Sequence, residues 1–210
     1  DIGVDASRVE IALDRVRRLA ESQDRAGDLA PQRRIRHEIG KGGVVIQHVN
    51  AATITQNEIR FVGIQITQGS SSGTDRVGIG LGDFNWTPTA TAITNTTVTR
   101  NLIHDVMDER TFSAVGIIVA GSGTPSGNTV ANNMIYNVRA NGTSGGEGVG
   151  IGISAGTGDV VAYNTISLTG DIDPGASTSS SVSMAGIRIS STTPTNLTLK
   201  NNVISVDVTS

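Results

Sequence analysis

The chain has 210 residues, with 16 Lys and Arg against 19 Asp and Glu, three His and no Cys. That length supports one domain, or two small ones, around a buried core. The lack of Cys excludes a disulfide scaffold and a thiolate zinc site. Three scattered His argue against an all-His metal site, and a net charge of −3 argues against a nucleic-acid partner. No run of 18 apolar residues is present, so no segment reads as a membrane span. Gly, Thr, Ser and Asn together supply 84 residues, which is turn and strand chemistry, while 37% hydrophobic content rich in Val and Ile predicts an ordered β protein rather than disorder.

In chain order, residues 1–41 form a charged N-terminal unit holding 9 of the basic and 8 of the acidic residues. Within it, Ser7 to Arg25 place Val9, Ala12, Leu13, Val16, Leu19 and Ala20 at helical spacing, with Arg8, Asp14, Arg15, Arg18 and Glu21 opposite. Ser7 and Glu10 have capping-box spacing and Gly27 offers a left-handed stop, so the segment is predicted as an amphipathic helix. Residues 28–41, with Pro31 and the basic run Arg33, Arg34, Ile35, Arg36 and His37, read as a connector. Asp24, Asp28 and Glu38 lie close to that run, which makes it a solvated face rather than a polyanion site.

Residues 42–210 are repetitive. One anchor is a Gly followed by aliphatics: Gly43, Gly78, Gly116, Gly150 and Gly186. The other is an aliphatic, an Asn three residues on and an Ile two further: Ile54-Asn57-Ile59, Val98-Asn101-Ile103, Val130-Asn133-Ile135, Val161-Asn164-Ile166 and Leu199-Asn202-Ile204. The two anchors alternate strictly, with insertions of variable length between them, and helical solenoids do not fit the β-branched strands or the Gly density. A stacked coil of parallel strands places like residues on like, about 4.8 Å apart. It predicts two aliphatic ladders with an Asn column at the bend between them, where Asn would take the left-handed conformation and bond along the stack.

This pattern resembles a right-handed parallel β-helix of the pectate-lyase-like superfamily, over residues 42–210. Phrases such as NNMIYNV, DVVAYNTISLTG and LTLKNNVISV are similar to those of long bacterial secreted and surface proteins. The resemblance implies an all-β solenoid of about five rungs with Ser7 to Arg25 as an N-terminal capping helix, in an extracellular or cell-surface protein of structural or adhesive role. It also implies partners that are other copies of the chain, neighbouring β-helix segments or an extracellular polysaccharide. The same superfamily includes polysaccharide lyases and glycoside hydrolases, which is the competing expectation. Residues 196–208 form a full anchor without a capping helix, proline or charged edge, so that end is expected to continue as a longer coil, to meet a partner or to stay a harmless exposed edge. Asp1 in place of an initiator Met fits a processed or partial chain.

Read down columns, Glu58, Arg60, Arg100, His104, Tyr136 and Tyr163 are expected on one exposed strip. There Arg and His could hold an anionic glycan and Tyr could stack on a ring or move a proton, with Arg60, Arg100, His104, Asp105 and Tyr136 as catalytic candidates. The bland reading is a solubilising strand face. Asp105, Asp108 and Glu109 are read as a loop after the second rung and, with Asp171 and Asp173, are the candidates for Ca²⁺; a solvated turn is the plainer reading. Otherwise no cofactor is expected, since no G-x-S-x-G or phosphate-loop motif occurs. The small polar loops, Gly69 to Asp75, Gly121 to Gly127, Asn141 to Gly148 and Gly170 to Ser183, tilt the reading away from an enzyme, because they lack the bulky residues that the resemblance leads one to expect around a glycan cleft.

Overall fold

Strands of two to seven residues cannot bury an apolar face alone, so the repeated anchors gain a core only by stacking. The computed structural model describes residues 42–63, 75–84, 90–108, 112–122, 124–140, 146–171, 183–190 and 192–209. The helix expected over Ser7 to Arg25 and its connector lie outside the described residues.

The chain winds in levels. The first holds β1 (Gly42–Ile46), β2 (Val49–Asn50), β3 (Thr53–Thr55) and β4 (Glu58–Val62). The second holds β5 (Arg76–Leu81), β6 (Ile93–Thr94), β7 (Thr97–Thr99) and β8 (Leu102–Asp108). The third holds β9 (Ala114–Val119), β10 (Thr129–Ala131) and β11 (Met134–Ala140), and the fourth β12 (Glu147–Ile153), β13 (Val160–Ala162) and β14 (Thr165–Asp171). The last described level holds β15 (Ser183–Ile189), β16 (Thr198–Lys200) and β17 (Val203–Thr209). Three parallel sheets result: β1-β5-β9-β12-β15, β3-β7-β10-β13-β16 and β4-β8-β11-β14-β17, with β2 and β6 as a short pair. Among the described residues the fold is therefore an all-β parallel solenoid of about four turns, with no helix.

The register joins the predicted columns. Ile54, Val98, Val130, Val161 and Leu199 align in the second sheet. Ile59, Ile103, Ile135, Ile166 and Ile204 align in the third. The Gly anchors have a steric cause. A Cβ on Gly78 would lie 2.5 Å from the carbonyl oxygen of Gly116 and 2.6 Å from Cγ2 of Ile103; on Gly116 the same distances, to Gly150 and Ile135, are 2.6 and 2.7 Å. Each Gly thus admits the Ile of its own level across the core.

The Asn column forms the expected ladder. Nδ2 of Asn57, Asn101, Asn133 and Asn164 donates at 3.0 Å to Oδ1 of the next Asn, ending at Asn202. Each backbone N–H donates to the same oxygen, at 3.1 Å from Asn57 and 3.0 Å from the others. The left-handed residue, however, is not the Asn. Positive φ falls one position earlier, at Gln56, Arg100, Asn132, Tyr163 and Asn201. The bend is made there, on the outside of the corner where side-chain type is free, and the Asn after it turns its amide along the coil axis. The cost of about 1–2 kcal/mol for such a residue is offset by the ladder bonds it makes possible.

Candidate functional site

The third sheet carries the column Arg60-His104-Tyr136-Ser167-Ser205. Successive strand residues normally point to opposite faces, so His104 and Asp105 would separate. They do not, because Phe61, Asp105 and Asn137 all have positive φ, which breaks the alternation at the same station of β4, β8 and β11. His104 Nδ1 lies 2.8 Å from Asp105 Oδ2, and Nε2 lies 3.2 Å from Glu58 Oε1. The imidazole stacks on Tyr136 with centroids 4.6 Å apart and planes 6° from parallel, and Phe61 meets it edge-on at 6.4 Å. Arg60 Nη1 reaches the same Glu58 oxygen at 2.9 Å, its guanidinium carbon lies 5.3 Å from the Phe61 ring centroid, and Asn137 Nδ2 donates to Asp105 Oδ1.

The cluster is the nearest thing to the predicted strip, with two corrections. His104 is not an exposed side chain: only 6% of it meets solvent, because rings on two sides and carboxylates on two others enclose it. Arg100 and Tyr163 do not join it, since both sit at positive φ on the outer corner between the second and third sheets. Both ring nitrogens of His104 are engaged, so the side chain can exchange a proton with a ligand only by giving up a carboxylate. Glu58, Arg60 and Tyr136 form the solvent-facing rim.

The acidic candidates separate. Asp105 and Asp108 belong to strand β8 rather than a loop. Asp105 faces His104 and Asn137, whereas Asp108 is buried with Arg76, Oδ2 to Nε 3.4 Å, at the far end of the strand. Such a buried pair is costly to break, since removing one partner strands the other charge. Asp171 ends β14, with its side chain outside the description, and Glu109 and Asp173 lie outside the described residues. Among the described residues no three His, Asp or Glu side chains are grouped to hold a metal ion.

A second polar column was missed by sequence reasoning, although it runs five residues before each ladder Asn: Ala52, Thr96, Asn128, Asp159 and Leu197. The residues preceding it, Ala51, Asn95, Gly127, Gly158 and Asn196, also have positive φ, so this is another corner. Thr96 N–H donates to Asn128 Oδ1 at 3.0 Å, and Asn128 N–H to Asp159 Oδ1 at 2.7 Å. Ser126 Oγ–H adds a 2.7 Å bond to that oxygen. Asp159 Oδ2 is buried without a hydrogen-bond partner. Loss of solvent pushes the Asp159 carboxyl above its ordinary range, against the lowering effect of the bonds from Ser126 and Asn128.

The apolar end of the last level is the other candidate. Ile187, Ile189, Leu199 and Ile204 line a shallow depression there with Lys200, Asn201 and Asn202. No helix among the described residues is long and apolar enough to cross a membrane. Compared with models of protein families, with curated proteins and with solved structures, the chain matches none.

Proposed function

We propose that the chain is a structural or adhesive β-helix of a secreted or cell-surface protein, of the right-handed pectate-lyase-like kind, which works through contacts between coils. The observation that carries this reading is the coil itself, in which Gly, aliphatic and Asn stations repeat in register through three five-stranded parallel sheets. A stacked coil of this kind presents sheet faces and edges along its length, the surfaces at which neighbouring coils meet. The tests are light scattering and native mass of the full chain, with Val206→Lys as the breaking variant. Assembly that the Lys variant abolishes supports the reading; a discrete monomer at all concentrations overturns it.

The polar rim of Glu58, Arg60 and Tyr136 beside His104 is the observation behind a second reading, a polysaccharide lyase or hydrolase acting on an anionic glycan. A depolymerisation screen tests it: turnover that His104→Ala and Glu58→Gln abolish would establish this activity, and no turnover on any uronate polymer removes it.

A further inference from the structure

We infer that the corner between the second and third sheets docks a second copy of the chain, side by side and antiparallel, about a two-fold axis at Asn132. The inference rests on the reading that coils of this kind work through contacts with one another, and it names the surface and the geometry.

The corner is a column with one left-handed residue at each level: Gln56, Arg100, Asn132, Tyr163 and Asn201. Each follows a second-sheet residue that is in parallel register with the next level, Thr55 on Thr99, Thr99 on Ala131, Ala131 on Ala162 and Ala162 on Lys200, so the column runs straight along the coil. One level's rise, about 4.8 Å, separates neighbours. All of these side chains are exposed. Outside the last level, the large apolar side chains exposed among the described residues are Tyr163, at 51%, and Met134, at 50%, and Met134 lies two positions after Asn132 beside the same corner. Tyr, Met and Arg are the types that interfaces concentrate, and the column holds no Lys, Glu or Asp, the types that interfaces exclude.

The order of the column says what fits it. From either end it reads amide, then a cation or a ring, then amide, and the cation and the ring stand at equal distances from the central Asn132. When a second coil is turned end for end about Asn132, the equal rise sets Gln56 opposite Asn201, Arg100 opposite Tyr163 and Asn132 opposite its own copy. The amide pairs match donors with acceptors. The Arg100 guanidinium meets the Tyr163 ring, and the two-fold axis makes that cation–π contact twice. The same axis brings Met134 towards the second Met134. Parallel coils would instead set Arg100 against Arg100, a like-charge contact. The partner that carries these residue types at this rise is the chain itself.

The full chain has no Cys, so single Cys variants report the geometry without background. With a short bis-maleimide, Asn132→Cys should join to itself. Gln56→Cys mixed with Asn201→Cys should also join, whereas neither should join alone, because four levels, roughly 19 Å, separate like positions away from the axis. By sedimentation equilibrium, Tyr163→Arg should weaken self-association at least about tenfold, since two ring contacts become two Arg–Arg contacts. The exchanged variant, Arg100→Tyr with Tyr163→Arg, should restore it. Both side chains stand outside the core, and urea unfolding checks that the variants fold; if one does not, the cross-links decide alone. Self-joining of Gln56→Cys would mean parallel coils and overturns the inference, as does a loss in Tyr163→Arg that the exchange leaves unrestored. A monomer at millimolar concentration overturns this inference and the coil-contact reading together. Assembly that Val206→Lys abolishes, without the Asn132→Cys cross-link, overturns the inference alone.

Discussion

Ile46, Ile54 and Ile59 of the first level are 6%, 0% and 5% exposed, whereas Ile189, Leu199 and Ile204 at the same stations of the last level are 49%, 44% and 45%. Residue type, strand register and corner geometry are shared between the two ends. The difference teaches that in a solenoid an aliphatic is not buried by its own strand: the same station is out of solvent in one level and half in solvent in another. Polar groups follow the same rule. Asn101 has both ladder bonds made, while Asn202 has a donor set facing outward.

The largest expected contrast is in truncation of one column at its two ends. Ile54→Ala removes a fully buried side chain and should cost about 2–5 kcal/mol. Leu199→Ala removes one that is already half in water and should cost about 1 kcal/mol or less. Equilibrium urea unfolding of the two variants measures the contrast, and equal losses would mean that the last level is covered in solution.

Overpacking sharpens the same comparison. Gly116→Ala forces a methyl against both the Gly150 carbonyl and Ile135, so a loss of about 1–3 kcal/mol or more is expected. Gly186→Ala meets Ile204, which is free to swing outward, and should cost clearly less by the same measurement.

In the ladder, Asn133→Ala strands the Asn101 N–H and the Val98 carbonyl inside the coil, for about 1–3 kcal/mol. Asn202→Ala removes a partly exposed acceptor from the Asn164 N–H and Nδ2 at the last level, and should cost less than Asn133→Ala. Protection of the Asn101 amide in hydrogen exchange should fall in the first variant and stay unchanged in the second.

The smallest effect concerns pH. The Asp159 carboxyl is raised in the folded state, so the folded chain holds that proton more tightly than the unfolded chain. Its contribution to stability is fully present below the ordinary carboxylate range and is lost as pH rises through the raised value. Asp159→Asn, the residue type that the neighbouring Asn128 already supplies, should remove this slope and leave the protein at least as stable at neutral pH. Melting temperatures from about pH 4 to 8 for both forms test it, and parallel curves would show that Asp159 is already ionised when folded.

Much of the architecture was legible because the repeat is written in residues with one stacking role each. The Gly, aliphatic and Asn anchors aligned into the observed columns without correction. What failed was the assignment of backbone state. Asn is the residue most associated with left-handed φ, yet Gln56, Arg100 and Tyr163 take it, because side chains outside the corner do not influence which residue bends. The strip around His104 was partly legible: Arg60, His104 and Tyr136 aligned as a column, but the pairing of His104 with Asp105 depends on a break in strand alternation that polar residues do not announce. Asp108 looked like part of an acidic turn because its partner, Arg76, is 32 positions away in sequence.

By itself the sequence determined that this chain stacks as a parallel coil and which residues form its ladders, because a fixed repeat in small, branched and amide side chains has few other ways to bury its apolar face. Only the tertiary structure decided which residues bend, which carboxylates enclose His104, that Asp159 is buried with one oxygen unpaired, and that the last level presents both its aliphatics and its amide donors outward. Apart from the pairing of His104 with the adjacent Asp105, the side-chain contacts behind these properties join residues more than 30 positions apart, and no local pattern encodes which groups the neighbouring level will bring.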